Sequence, residues 1–157
     1  SESVYNSTSV AAIGVASHEV GHAYQYAKNY APIKIRQAII PIANFASTLL
    51  WPLVVIGLIF NFAIMPNSIA GTVMLWAGVA VFGFAVLVNL ATLPVEYNAS
   101  KRATATLSQT GILEGDEIDG AKKVLNSAAL TYVASLLVSI LNLLRFILVF
   151  MMNRDRD

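Results

Sequence analysis

Two histidines stand four residues apart with a glutamate beside the first, in the string His18-Glu19-Val20-Gly21-His22. The flanking residues contain no proline and are mostly good helix formers, so the string belongs on an α-helix. Positions four apart on a helix differ by about 40° of rotation and about 6 Å of rise, which projects both imidazoles from one face. That spacing makes a two-nitrogen clamp for a metal ion, zinc above all. Glu19 reaches the same edge, where its carboxylate can take a proton from a water in the metal's open coordination position. The chain contains 2 histidines, and both are in this string. The competing reading is coincidence, with the imidazoles satisfied by carbonyls and the glutamate left in solvent.

The elements that must position this string are those of a membrane protein. The chain is 57% hydrophobic and 12% charged, with a mean hydropathy of +0.66, far from an ordinary globular domain. A net charge of +1 gives no reason to invoke nucleic acid. The absence of cysteine removes disulfides, thiolate ligands and a cysteine nucleophile. The chain opens on Ser1, and a further N-terminal part is expected to precede it. The expected fold class is all-α, a multi-pass membrane helical bundle with an HExxH helix, forming a single domain over residues 1–157.

Residues 1–28 predict the helix that carries the motif, with Ser3 as its N-cap. Ala11, Ala12, Gly14, Ala16 and Gly21 keep it slim, so that neighbours can approach closely. Gly21 serves either close packing or clearance beside the metal. Lys28, Pro32, Lys34 and Arg36 read as a basic connector. No formal charge follows until Glu96, and that stretch is too long for one crossing of about 20 residues. The turn residues Met65-Pro66-Asn67-Ser68 divide it into helices over 39–63 and 69–93, a transmembrane hairpin within 37–93. Pro41 falls near the start of the first helix, and Pro52 should bend it. A separate helix is expected over 94–111, with Pro94 in its first turn and Gly111 as its stop. Asp116 then caps a helix over 116–152 that leads into a third crossing from Ala128 to Met152.

A hairpin returns Glu96 to the side of the membrane that holds His18 and His22. Lys28, Lys34, Arg36, Lys101, Arg102, Lys122 and Lys123 share that side, seven of the 10 basic residues, so the positive-inside rule places the site at the cytoplasmic face of the cell membrane. A catalytic zinc usually takes three protein ligands and keeps one open position. Glu2 is roughly 24 Å from His18 along a helix. Asp155 and Asp157 lie about 30 Å away across the hydrocarbon core. Glu96 is the acidic residue at the membrane end of the returning segment, where a carboxylate needs a partner, and it is the chosen third ligand. The acidic turn Glu114–Asp119 is the fallback.

The stretches Ser9 to Ala23 and Pro94 to Ala103, which hold the motif and Glu96, resemble the YugP-like neutral zinc metallopeptidases of bacterial membranes. The likeness continues through Ala121-Lys122-Lys123-Val124-Leu125 and Leu143-Leu144-Arg145. It implies a membrane-bound zinc endopeptidase of gluzincin type, acting on polypeptides, with Zn2+ held by His18, His22 and Glu96 and with Glu19 as general base. It also implies a further spanning helix and a soluble segment ahead of Ser1. Gluzincins often place an aspartate four residues after the ligand glutamate to orient a ligand histidine; here that position is Ser100, whose hydroxyl can accept from an imidazole but carries no charge. Tyr97, Arg102 and Tyr24 are nearby residues of a type that can stabilise a tetrahedral oxyanion. Two other classes fit the composition. A site-2-type intramembrane protease would need an aspartate ligand inside a later span, and a non-enzymatic scaffold or transporter subunit would make the motif incidental.

Overall fold

The run Tyr5-Asn6-Ser7-Thr8-Ser9 is rich in side chains that compete for backbone hydrogen bonds, and it breaks the helix expected over 1–28. In the computed structural model, which describes residues 2–65 and 68–154, a single turn α1 (Glu2–Tyr5) is followed by α2 (Val10–Ala27). Ser9 is the N-cap, in extended conformation, and its hydroxyl accepts from the Ala12 N–H at 3.2 Å. The side chain of Ser3, the expected cap, lies outside the described residues, as do Pro66 and Asn67 of the expected turn.

Helix α2 ends in a left-handed residue, Asn29 at φ 54°, a conformation that asparagine tolerates. The Tyr30 N–H reaches back to the Gln25 carbonyl at 3.0 Å, and the chain restarts at once as α3 (Ala31–Leu58), with Pro32 in its first turn. Lys34 and Arg36 are therefore helical residues, and the expected basic connector shrinks to a tight turn. Pro41 and Pro52 both lie inside α3, which passes into a π-helical segment over Ile59–Ile64.

The largest departure from expectation is at Pro94. The helix α4 runs unbroken over Ile69–Thr110, so the break between 69–93 and 94–111 is absent. Proline removes one rung of the ladder, but Val95, Ala99, Ala103 and Leu107 recur at every fourth position and are all buried. That packed stripe carries the helix through the missing bond. Gly111, at φ +66°, ends α4 as expected. Then α5 (Asp116–Arg154) begins with Asp116, Glu117 and Asp119 in its first turn, where carboxylates favour the helix dipole.

The chain is all-α among the described residues, with three helices long and apolar enough to cross a bilayer: Ala31–Asn61, Ile69–Thr110 and Asp116–Leu148. Their contacts sort into two compact units, Ser1–Arg36 with Ala91–Ala134, and Gln37–Leu90 with Ser135–Asp157. In the second unit Phe82 meets Phe146 and Trp76 meets Phe150, both with ring centroids 5.5 Å apart. Asn89 donates to the Ser139 hydroxyl at 2.9 Å, and many large apolar side chains, Phe45 and Trp51 among them, face outward where lipid would cover them.

The first unit holds both histidines and Glu96. Leu107, Leu113 and Ala121 form its small core, with Val10, Ile13 and Ile118 packed on it. Helix α2 meets α4 through very small residues: a Cβ on Gly21 would stand 2.6 Å from the Ala99 carbonyl oxygen and 3.1 Å from its Cα. Close packing is thus the role of Gly21. Gly21→Ala gains about 1 kcal/mol of helix propensity, but the backbone of α4 cannot yield, and we expect a net loss of about 1–3 kcal/mol. Thermal unfolding in detergent tests it; a more stable alanine variant would contradict the close α2–α4 approach.

Candidate metal centre

His18 and His22 sit on one face of α2, as their spacing requires, with ring centroids 4.6 Å apart and planes at 86°. The Val95 to Leu107 stripe seats the second half of α4 in the same unit and points Glu96 at both rings. Glu96 is 2% exposed. Its Oε2 lies 3.1 Å from His18 Nε2 and 3.5 Å from His22 Nε2. Its Oε1 lies 3.3 Å from Nη1 of Arg36 on α3. One oxygen of the carboxylate therefore faces the imidazoles while the other is held by a guanidinium.

The three donor atoms lie within 4.8 Å of one another, and among the described residues His18, His22 and Glu96 are the group so arranged. Ligand atoms around a tetrahedral zinc at about 2.0–2.1 Å stand about 3.3 Å apart, and the two nitrogen–oxygen separations bracket that value. Two imidazoles and a carboxylate are also the donor set that zinc prefers, so the residues fit the ion. The acidic turn stays in the lead-in and first turn of α5 and joins no such group.

Both Nδ1 atoms are held from behind. Ser100 Oγ is 3.1 Å from His18 Nδ1. Gln25 Oε1 is 3.0 Å from His22 Nδ1. Gln25 is fully buried; its amide donates to the Val95 carbonyl at 2.8 Å and to Asn98 Oδ1 at 3.1 Å. Ser17, one residue before His18, donates to the Ala103 carbonyl at 3.2 Å and ties α2 to α4 directly.

A cavity of about 390 Å³ opens over the group, with His18, Glu19, His22, Glu96, Arg36 and Tyr132 on its wall. Glu19 is exposed to it and takes no part in the three-donor cluster. Tyr24, Tyr97 and Arg102, the expected oxyanion donors, are not among the residues lining that cavity. Tyr97 follows Glu96 by about 100° of helix turn and Tyr24 follows His22 by about 200°, so both diverge from the ligands. Arg102 instead lies 4.5 Å over the Tyr24 ring and bonds Asn98 through Nε at 2.7 Å. Arg36 and Tyr132 lie on other helices, α3 and α5, and no local pattern relates them to the histidines. Gln25 was findable: it lies three residues after His22, on the same face.

With this geometry in view, comparison with known proteins is informative. Residues 1–151 match the model of a protein family described as "Putative neutral zinc metallopeptidase". The chain belongs to this family. It is 42% identical over 158 aligned residues to the "Putative membrane protease YugP" of Bacillus subtilis (strain 168), covering 100% of this chain and 66% of that protein. No solved structure matches the chain. The zinc metallopeptidase family and a relative described as a membrane protease agree with the donor set and with the three apolar helices.

The Glu96 carboxylate raises the pKa of His22 above its ordinary value, against the opposing effect of burial. A zinc ligand must be the neutral imidazole, so protons compete for His22 Nε2 from a higher pH than usual. In the metal-free protein the raised pKa contributes stability that is full below the unfolded value of about 6.5 and is lost as pH rises through the folded value. Chelator-treated protein should therefore melt higher at about pH 6 than at about pH 8, and zinc-loaded protein the reverse. A His22→Gln variant should lose both differences; if it keeps them, His22 is not the group responsible.

Proposed function

We propose that this chain is the catalytic part of a membrane-bound zinc metalloendopeptidase that hydrolyses polypeptides. One observation carries the reading: Nε2 of His18, Nε2 of His22 and one oxygen of Glu96 converge at zinc-ligand spacing, with Glu19 on the wall of the same cavity. Family membership and the description of the Bacillus relative support it. The chain spans 66% of that relative's length, and the activity belongs to the whole protein.

His18, His22 and Glu96 would hold the ion. Zinc bound there would supply Lewis acidity, acidifying a water and polarising the peptide carbonyl. Glu19 would be the base that accepts a proton from the attacking water and returns it to the leaving amine. Arg36 and Tyr132 face the same cavity and supply donors for charge that develops on the carbonyl oxygen, replacing Tyr24, Tyr97 and Arg102 in that role. Ser100 orients the His18 ring from its Nδ1 side. A site-2-type arrangement gains no support, since the aspartates among the described residues, Asp116 and Asp119, lie in the first turn of α5. An incidental motif on a scaffold would not account for a buried carboxylate aimed at both imidazoles.

Glu19→Gln should retain about one zinc per chain and lower reporter proteolysis by roughly 10²–10⁴-fold, whereas Glu96→Gln should lose the metal. Elemental analysis alongside turnover of an unstructured polypeptide by the full-length protein distinguishes them. Equal turnover by Glu19→Gln and wild type would exclude Glu19 as the base, and full zinc in Glu96→Gln would exclude Glu96 as a ligand.

The site opens at the cytoplasmic face of the cell membrane in this reading. All seven basic residues named for that side belong to the unit that holds the donor cluster, and the chain leaves that unit after Arg36 and rejoins it at Ala91. Single cysteines at Lys28, Asn67 and Lys122 can report sidedness in this cysteine-free chain. An impermeant thiol reagent should label position 67 in intact cells and positions 28 and 122 only after lysis. Labelling of 67 and 28 from one side would remove the hairpin.

A further inference from the structure

The hydrogen bonds behind His22 form a chain whose direction is forced at both ends. The Val95 carbonyl can only accept, so the Gln25 atom 2.8 Å from it is the amide nitrogen, and the Gln25 oxygen must face His22. Arg102 Nε can only donate, so the Asn98 atom 2.7 Å from it is oxygen. That same oxygen accepts from Gln25 at 3.1 Å. Gln25 Oε1 is acceptor-only, so His22 Nδ1, 3.0 Å away, must carry a proton. Resting on the metalloprotease reading for its purpose, we propose that Arg102, Asn98 and Gln25 act as positioning residues that lock the His22 proton on Nδ1 and so present Nε2 as a ready metal ligand.

The two histidines differ in this respect. A serine hydroxyl can donate or accept, so Ser100 leaves the ring state of His18 open. Gln25 cannot turn over without placing its amide against the His22 ring and its oxygen against the Val95 carbonyl. Gln25, at the centre of the chain, is buried at 0% exposure, while His22, Asn98 and Arg102 are half-buried, so water does not substitute for a partner lost at Gln25. The Arg102 guanidinium is itself seated 4.5 Å over the Tyr24 ring, which keeps Nε directed at Asn98. Two residues expected as oxyanion donors thus belong to the support of a ligand.

The 2 histidines make a direct test practical. Purified chain labelled with 15N-histidine in detergent micelles gives two ring systems, assigned with a His18→Asn variant. His22 Nδ1 should carry its proton in chelator-treated and zinc-loaded protein alike; an unprotonated Nδ1 in either overturns the proposal. Gln25→Met keeps the volume and removes the acceptor, and its zinc Kd, from competition with a chromophoric chelator, should rise roughly 10–100-fold at unchanged helical circular dichroism. Asn98→Asp still accepts from both Gln25 and Arg102 and should stay within about threefold of wild type, while Asn98→Leu should lose about tenfold. An unchanged Kd in Gln25→Met, or equal losses in the two Asn98 variants, would reduce these residues to packing. Should Gln25→Met not fold, the wild-type ring signals and the Asn98 pair still decide. A wild type that binds no zinc would overturn the metalloprotease reading, yet the chelator-treated spectra would still locate the proton.

Discussion

A carboxylate with 2% of its surface exposed governs the arrangement of the first unit. An unpaired buried carboxylate carries a desolvation penalty of several kcal/mol, so Glu96 can exist there only if each oxygen is answered. Oε2 is answered by two imidazoles and Oε1 by Arg36, and each partner constrains a different helix. The imidazoles bring α2 to α4. The guanidinium needs α3 to start at once after α2, because Arg36 is only eight residues beyond Lys28. The left-handed Asn29 and the Pro32 first turn supply that short reversal.

The parts of this arrangement that depend on spacing along one helix were readable from the chain alone. His18 and His22 share a face because they are four apart, and Ser100 meets an imidazole because it lies one turn beyond Glu96. Glu96 stands beside both imidazoles, in keeping with the reasoning that a carboxylate at a returning membrane segment wants a partner. What failed was punctuation. Local rules make Pro94 a boundary, yet the buried stripe that begins at Val95 outweighs one lost hydrogen bond, a tertiary effect that those rules do not contain. Ser7, Thr8 and Ser9 fall within the expected helix over 1–28 and interrupt it. Arg36 and Tyr132 come from elements far apart in sequence, and no period or motif relates them to the histidines.

The acidic turn illustrates the opposite case, in which a charged cluster has an ordinary explanation. Asp116, Glu117 and Asp119 occupy the first turn of α5, where they meet the positive end of the helix dipole. Lys122 pairs with Asp119 at 3.1 Å, with both side chains well exposed. Nothing there requires a metal, whereas Glu96 is buried and turns one oxygen towards two imidazole nitrogens at once.

The way α2 is held ties the stability of the fold to the same donors. Its buried residues are Ala12, Gly14, Ser17, Gly21 and Gln25, which are small or polar and offer little hydrophobic driving force. Beyond Val10 and Ile13, which pack on the small core near its N-terminal end, its attachment to α4 comes from close backbone packing at Gly21, from the hydrogen bonds of Ser17 to Ala103 and of Gln25 to Val95, and from the His18–Glu96–His22 contact. Of these ties, the last is set between groups that a cation would bind together far more strongly than they bind one another. With so few apolar contacts around its histidines, α2 would make metal binding a part of folding, because whatever separates α2 from α4 disperses the three donors, and a cation bound by all three would hold α2 in place.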